Sequence, residues 1–226
     1  MFKRFVVGVA LFACSAMAAA QGPLKWVEGT HYYRLQPAQP TSTPGKIEVL
    51  DVFSYACPAC NAFQPTLDKL KAALPAGAQM AFLPASFNPA EDWPVFQRGF
   101  LAAQSLGVAE KSHDAMYDAV WGKAGSLAIV DRGTGHLLPQ LPTIEDLAKF
   151  YVAYGVKPAD FLAAANSFTI DMQMRSADTQ MQGEQVVSTP TLIVNGKYRV
   201  TPSAAGGYQQ TIDLVLYLIA KEKAGS

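Results

Sequence analysis

Two cysteines separated by two residues constrain this chain more than any other feature. Cys57 and Cys60 enclose the dipeptide Pro58-Ala59, follow an apolar run over residues 47–53, and open a helical pattern. A strand leading into such a pair at a helix start is typical of a redox-active dithiol site. The free N–H groups and positive end of the helix stabilise an anion, so Cys57 is expected to form a thiolate near neutral pH. A thiolate attacks disulfides, and Cys60, one turn further along, is placed to resolve a mixed disulfide.

The same cysteine pair could instead be half of a zinc site or an inert structural disulfide. A structural zinc site needs four ligands, and the remaining candidates, His31, His113 and His136, are scattered without metal-site spacing. We expect these histidines to be surface or packing residues, and no metal to be bound. A CxxC disulfide closes a loop too small to constrain the unfolded chain much. The position between a strand and a helix therefore favours redox chemistry.

The first twenty residues are typical of a secretory signal peptide. Lys3 and Arg4 precede an apolar run over residues 5–13, and small residues follow up to Ala20, which is the expected cleavage region. The run is too short for a membrane span, which needs about 20 residues. We therefore expect a soluble exported product without the leader.

Cys14 lies inside this leader, so cleavage near Ala20 would leave only Cys57 and Cys60, an even pair in an oxidising compartment. The alternative is a lipoprotein signal in which Cys14 becomes the lipidated N-terminus and anchors the protein. Phe12 fits that pattern poorly, so the soluble product is favoured.

Charge and composition limit the classes of partner. Lys and Arg total 18, as do Asp and Glu, and loss of the two basic leader residues leaves 16 against 18, a net charge of −2. Because no basic patch stands out in the sequence, we expect no nucleic-acid partner. Half of the residues are hydrophobic and 16% are charged. Such a composition suits exposed apolar surface for unfolded clients, although alanine-rich helices explain it equally well.

The predicted elements alternate between strand and helix. Strands are predicted over residues 47–53, 79–83, 191–194 and 197–200, and helices over residues 91–182, with a Gly/Pro-bearing loop at 122–142, and over 208–222. Asn195-Gly196 between the last two strands is a strong hairpin pattern. Thr143 is the predicted N-cap of the helix that follows the loop. The simplest interpretation is one α/β domain interrupted by a helical insertion near residues 89–182.

Two further positions have chemical interest. Asp51 lies six residues before Cys57 among apolar neighbours, so we expect it to be partly buried with a raised pKa, and able to accept the Cys60 proton. The alternative is a solvated aspartate at a strand edge. Thr189-Pro190 precedes a strand, where the missing N–H of proline is tolerated. On the sequence alone a trans peptide is the ordinary expectation there.

Several of these motifs together resemble the DsbA family of periplasmic thiol-disulfide oxidoreductases. The matching features are the leader, the helical block, VLDVFSYACPAC at residues 49–60 and STPTLIVNGKY at residues 188–198. The similarity runs from about Tyr32 to Ala220, nearly the whole mature chain. The CxxC, the Thr-Pro dipeptide and the hairpin are specific when they occur together in this order.

The resemblance implies an α/β architecture, a thioredoxin fold with an inserted all-helical domain. The leader would be residues 1–20, the discontinuous thioredoxin-like domain residues 21–88 and 183–226, and the insertion residues 89–182. It also implies that Thr189-Pro190 is cis, lies against Cys57 and contacts a substrate strand. Cys57 would be the nucleophile, Cys60 the buried resolving thiol, and Asp51 the counterpart of the family's buried acid, which is usually glutamate.

The resemblance further implies partners and a direction of electron flow. The substrates would be reduced, newly exported proteins, and a quinone-linked membrane oxidase (DsbB-like) would re-oxidise the pair. The only redox group would be the Cys57–Cys60 disulfide, and a monomer is the default expectation. The family's commonest dipeptide is Pro-His, whereas this chain has Pro58-Ala59. Because alanine offers no charge or dipole to the thiolate, we expect a weaker oxidant.

Two other functions compete with disulfide donation. One is a periplasmic reductase or isomerase on the same fold; isomerases of this type usually carry an N-terminal dimerisation domain, and here the thioredoxin-like part follows the leader directly. The other is a chaperone-like binder whose helical insertion holds unfolded chains, with Cys57 and Cys60 incidental.

Overall fold

A computed structural model describes residues 26–123 and 125–225. The strands are β1 (Tyr33–Arg34), β2 (Ile47–Phe53), β3 (Ala78–Pro84), β4 (Thr191–Val194) and β5 (Tyr198–Val200). The α-helices are α1 (Pro58–Ala73), α2 (Trp93–Ser105), α3 (Ala109–Trp121), α4 (Ile144–Phe150), α5 (Pro158–Ala165), α6 (Phe168–Gly183), α7 (Pro202–Ala205) and α8 (Tyr208–Ala224). The expected leader and Cys14 lie outside the described residues.

Strand β2 lies inside a mixed sheet with the order β1-β5-β4-β2-β3. It pairs in parallel with β3 and antiparallel with β4, and β4 pairs antiparallel with β5. Six of its seven residues are buried, because an inner strand covered on both faces needs an almost continuous apolar run. That run leads directly to the cysteine pair, so the strand that anchors the site is held firmly on both sides.

The two faces of the sheet belong to two apolar clusters. One face packs with Phe63, Leu67 and Leu70 of α1 and with the apolar side of α8. The other cluster joins Leu50, Val52 and Phe53 of β2 to the helices that lie between β3 and β4 in the chain. These helices, α2 to α6, therefore share a core with the sheet that carries the cysteines.

The longer predicted elements and their caps agree with the structure. Asn195 and Gly196 both have positive φ, 53° and 63°, as a tight hairpin turn requires. Thr143 caps α4 in a reciprocal capping box with Asp146. The one-turn helix α7 and the two-residue strand β1 were not predicted from the sequence. Within the described residues no helix is both long and apolar enough to cross a membrane.

Candidate active site

The cysteine pair lies where β2 passes into α1. Cys57 is the N-cap of α1, with φ −85° and ψ 116°, and its Sγ accepts a hydrogen bond from the Cys60 N–H at 3.4 Å. Pro58 occupies the first turn, where its missing N–H costs nothing and its fixed φ suits a helix start. Pro58 and Ala59 are exposed, whereas Cys57 and Cys60 are 5% and 1% exposed. Both cysteines are free thiols in this structure.

The two thiols differ in acidity. A hydrogen bond from the Cys60 thiol is the largest cause that lowers the pKa of Cys57 to about 6; burial opposes the shift, and Thr189 and the N–H groups of Cys60 and Ala59 add to it. Burial raises the pKa of Cys60 well above its usual range, and Cys57 and Asp51 raise it further. At neutral pH Cys57 is therefore mostly a thiolate and Cys60 a thiol, so the two sulfurs differ in nucleophilicity.

Asp51 lies on β2 and is buried, with 1% of its surface exposed. Burial raises the pKa of Asp51 to about 7, the Lys71 ammonium opposes the rise, and Cys57 adds to it. Its Oδ1 atom has no hydrogen-bond partner within the described residues. The predicted burial and the predicted raised pKa are both confirmed. A carboxyl group with this pKa can hold or release a proton near neutral pH, close enough to Cys60 to affect its acidity.

Thr189-Pro190 lies against the same thiol. The peptide bond between them is cis, as the family resemblance implied, and the Thr189 carbonyl oxygen lies 3.7 Å from Cys57 Sγ, within hydrogen-bond reach when Cys57 is protonated. Val187, two residues before Thr189, is 88% exposed. Candidate residues from two distant segments of the sequence, residues 51–60 and Thr189-Pro190, therefore meet at one place.

The structure adds residues that the sequence analysis did not connect with the site. His113, Tyr117 and Trp121 lie on α3 and each makes a hydrogen bond to Ser54 or Tyr55, directly before the cysteines. Their spacing of four residues along one helix was visible in the sequence, and it indicates a common face. What that face contacts could not be known before the fold.

The next question is whether the described residues contain a cluster of metal-ligating side chains. No group of three or more His, Cys, Asp or Glu side chains in residues 26–123 and 125–225 is arranged to hold a metal ion. His113 is buried among aromatic rings, 4.9 Å from the Phe53 centroid and 4.7 Å from that of Phe82. It is therefore a packing residue, as expected.

Comparison with known proteins gives a consistent family. Residues 43–214 match a family model described as Thioredoxin. The chain is 35% identical over 224 residues to the thiol:disulfide interchange protein DsbA of Pseudomonas aeruginosa, with 99% of each chain covered. It is 32% identical to the protein of the same name from Azotobacter vinelandii, with 97% of this chain and 95% of the relative covered.

Solved structures agree with these relatives. A crystal structure of Pseudomonas aeruginosa DsbA superposes with a TM-score of 0.74 at 38% identity, covering 88% of this chain and 96% of that chain. The oxidoreductase DsbA from Xylella fastidiosa gives a TM-score of 0.74 at 33% identity, covering 86% and 96%. The cysteine pair at a helix start, the cis-proline beside it and these matches have one explanation: this chain belongs to the DsbA family of the thioredoxin superfamily.

Proposed function

We propose that this protein is a thiol:disulfide oxidoreductase that donates its Cys57–Cys60 disulfide to reduced, newly exported proteins. The observation that carries the proposal is the unequal acidity of the two thiols at the start of α1, with the pKa of Cys57 lowered to about 6 and that of Cys60 raised. A stabilised Cys57 thiolate makes the reduced enzyme the favoured product, and a disulfide with a favoured reduced form is an oxidant. The family relationship supports the same activity.

The reaction consists of two exchanges. A substrate thiolate attacks Cys57 Sγ, the Cys57–Cys60 bond breaks, and Cys60 leaves as a thiolate that takes up a proton. A second substrate thiolate then attacks the substrate sulfur of the mixed disulfide, and Cys57 leaves as a thiolate. The substrate gains one disulfide and loses two electrons, which the enzyme holds as its dithiol. No cofactor besides the cysteine pair is needed.

Asp51 is proposed to exchange the Cys60 proton in these steps. Its carboxyl group is buried, and its pKa of about 7 is mainly the result of that burial. A group with such a pKa donates and accepts protons with little energetic penalty at neutral pH. The protonated carboxyl group can supply a proton to the departing Cys60 thiolate, and the carboxylate can remove it in the reverse direction.

Thr189 and Pro190 are proposed to bind the substrate, with Pro58 and Ala59 forming the exposed loop beside it. The Thr189 carbonyl lies 3.7 Å from Cys57 Sγ, so an extended substrate segment that reaches this sulfur also passes the Thr189-Pro190 backbone. The neighbouring Val187 is largely exposed and offers apolar contact area to an unfolded client.

The cellular setting is proposed from the leader and the family. Residues 1–20 would direct the chain to the periplasm, where it would act as a soluble monomer, with lipid attachment at Cys14 as the alternative. A quinone-linked membrane oxidase of the DsbB kind would restore the disulfide. Residues 21–88 and 183–226 would form the thioredoxin-like domain and residues 89–182 the inserted helical domain, in line with the position of α2 to α6 between β3 and β4.

Trapping of mixed disulfides tests the activity. Each single variant, Cys57→Ser or Cys60→Ser, can form a mixed disulfide with a client only through the cysteine of the pair that remains. With Cys60→Ser, the mixed disulfide on Cys57 cannot be resolved internally, so covalent complexes with clients should accumulate. Cys57→Ser is the matched control and should trap few, because Cys60 is the less exposed of the two and its raised pKa keeps it a thiol.

Two outcomes would overturn the proposal. If Cys60→Ser trapped no client, Cys57 would not be the exchanging nucleophile. If a Cys57→Ser/Cys60→Ser double variant kept both client binding and the cellular phenotype, the protein would be a chaperone-like binder instead.

A further inference from the structure

Residues 54–57, which connect β2 to α1, form a tight turn. The Cys57 N–H donates to the Ser54 carbonyl oxygen at 3.1 Å, and the Ala56 N–H donates to the Ser54 hydroxyl oxygen at 3.2 Å. The position of Cys57 Sγ relative to the Cys60 N–H is therefore set partly by this turn. Whatever holds the turn also holds the nucleophile.

Three side chains of α3 reach the turn from outside it. The Tyr117 hydroxyl donates to the Ser54 carbonyl at 3.4 Å, and the Trp121 indole N–H donates to the Tyr55 carbonyl at 2.7 Å. The Tyr55 hydroxyl and His113 Nδ1 are 3.0 Å apart. The three α3 residues are spaced by four, so they form one stripe along the helix. Together they make hydrogen bonds to the carbonyl groups of Ser54 and Tyr55 and to the Tyr55 hydroxyl group.

The protonation states of this stripe are fixed across the pH range in which Cys57 titrates. Burial, aided by the Lys71 charge, lowers the pKa of His113 to about 3, so its ring is neutral. Burial raises the pKa of Tyr55 and that of Tyr117 well above their usual range, so both hydroxyl groups remain donors. Both partners of the Tyr55–His113 hydrogen bond are therefore neutral. The stripe can hold the turn, but it cannot itself exchange protons near neutral pH.

The stripe also lies close to the reacting groups. Cys60 and Asp51 are among the charges that raise the pKa of Tyr117, after burial. His113 and Tyr117 are each 2% exposed, and hydrogen bonds in such an apolar environment are stronger than in water. Helix α3 follows β3 in the chain and belongs to the helical part, so the stripe connects that part to the cysteine pair.

We propose that His113, Tyr117 and Trp121 are positioning residues that fix the turn before Cys57 and thereby keep its thiolate aligned with the start of α1. When a donor of the stripe is lost, the turn relaxes and Cys57 Sγ loses alignment with the Cys60 N–H. The thiolate is then less stabilised, the pKa of Cys57 rises, and the disulfide becomes a weaker oxidant. The helical part thus contributes to the redox properties of a site built on the sheet.

Tyr117→Phe and Trp121→Phe test this proposal because each removes one donor and keeps an aromatic ring, and Tyr117→Phe also removes little volume. Two properties of the full-length variants are measured: the pKa of Cys57, from the ultraviolet absorbance of its thiolate, and the redox equilibrium with glutathione. Each variant should raise the pKa of Cys57 and shift the glutathione equilibrium toward the oxidised enzyme by roughly two- to tenfold, the effect of one net hydrogen bond. Tyr151→Phe is the matched control, since the hydrogen bonds that α3 side chains make to the turn within the described residues do not involve this buried tyrosine.

A purely structural role predicts a different result. The variants would then unfold at lower urea concentration while the pKa of Cys57 and the glutathione equilibrium stayed at wild-type values, and that result would overturn the proposal. Equal shifts in Tyr151→Phe would overturn it as well. If Tyr117→Phe failed to fold, Trp121→Phe would decide, because Trp121 is only partly buried.

The inference rests on the proposed role of Cys57, but the two can fail separately. Absence of mixed disulfides in Cys60→Ser refutes the exchange reaction. An unchanged pKa of Cys57 in Tyr117→Phe and Trp121→Phe refutes only the positioning role.

Discussion

At the scale of single residues, burial explains most of the chemistry of this site. Cys60 and Asp51 are each 1% exposed, and burial is the largest cause of the raised pKa of both. Cys57 is less deeply placed and gains hydrogen bonds that outweigh its burial, so its pKa falls to about 6. The same strand and helix start therefore give neighbouring groups opposite acidities, as an exchange reaction requires.

Asp51→Asn should change how stability depends on pH. In the folded protein the pKa of Asp51 is about 7, against 3.8 for a free side chain. Between these values the folded state binds more protons than the unfolded state, so stability falls as the pH rises from about 4 to about 7. The full effect is on the order of 4 kcal/mol. The asparagine variant lacks this loss of stability. The amount by which its free energy of unfolding exceeds that of wild type should therefore grow with pH and level off above about pH 7.

Urea unfolding of the disulfide form at several pH values measures this difference, because neither cysteine titrates in that form. Burial also raises the pKa of Glu184 to about 7, but Glu184 titrates in both proteins and cancels in the comparison. If the difference in the free energy of unfolding between Asp51→Asn and wild type did not vary with pH, the pKa of Asp51 would not be raised in the folded protein.

Ala59→His should make the protein a stronger oxidant. The side chain at this position is exposed, so histidine can be accommodated and its dipole or charge can stabilise the Cys57 thiolate. We expect the pKa of Cys57 to fall below about 6 and the glutathione equilibrium to shift toward the reduced enzyme by roughly tenfold, or about 30 mV. Ala59→Leu controls for size without a side-chain dipole; an equal shift in that variant would exclude an electrostatic cause.

At the scale of elements, the sequence predicted what has a strong local pattern. The apolar run of β2, the Asn195-Gly196 turn and the Thr143 cap were all found, since each depends on residues close together in the chain. Strand β1 and helix α7, with two and four residues, are too short to show a period. Strand β1 exists because it pairs with the distant β5, whereas α7 is a single turn that is capped by Thr201 and packs against the neighbouring α8.

Thr143→Ala tests a local contribution that is separate from the site. The Thr143 hydroxyl accepts the Asp146 N–H at 3.3 Å, and the Asp146 carboxylate accepts the Thr143 N–H at 3.0 Å. Loss of such a cap should lower the free energy of unfolding by about 1 kcal/mol, measured by urea denaturation. The glutathione equilibrium should not change; a change would mean that α4 is coupled to the cysteine pair.

At the scale of the whole molecule, the candidate site depends on contacts that no local pattern reveals. Cys57, Cys60 and Asp51 were linked by sequence proximity, whereas Thr189 was linked to them only through the family resemblance. The stripe of His113, Tyr117 and Trp121 had a visible spacing, but its target, the turn at Ser54, became clear only from the packing of α3. Residues far apart in the chain meet because the helices between β3 and β4 share a core with the sheet.

Reduction of the disulfide should stabilise the folded protein. The Cys57 thiolate is stabilised in the folded state, where its pKa is about 6 against 9.0 for a free thiol. The free energy of unfolding should therefore be higher for the reduced form, by about 1.4 kcal/mol for every 30 mV by which the folded pair is more oxidising than the unfolded pair. Because the folded pKa is lowered, this advantage should shrink as the pH falls from about 9 to about 6.

Urea unfolding of the reduced and oxidised forms at pH 9 and pH 6 measures this advantage. A more stable oxidised form would mean that the disulfide is structural, and an advantage independent of pH would mean that the Cys57 thiolate is not its source.

The reduction potential of the Cys57–Cys60 pair, measured by equilibration with glutathione, tests the central claim most directly. Disulfide donation predicts a value between about −120 and −180 mV, the range of DsbA and protein disulfide isomerase. Because of Ala59, we expect it to lie on the less oxidising side of −120 mV. A value near −270 mV, about that of thioredoxin, would contradict the claim: electrons would then flow from this protein to its substrates, and it would be a reductase.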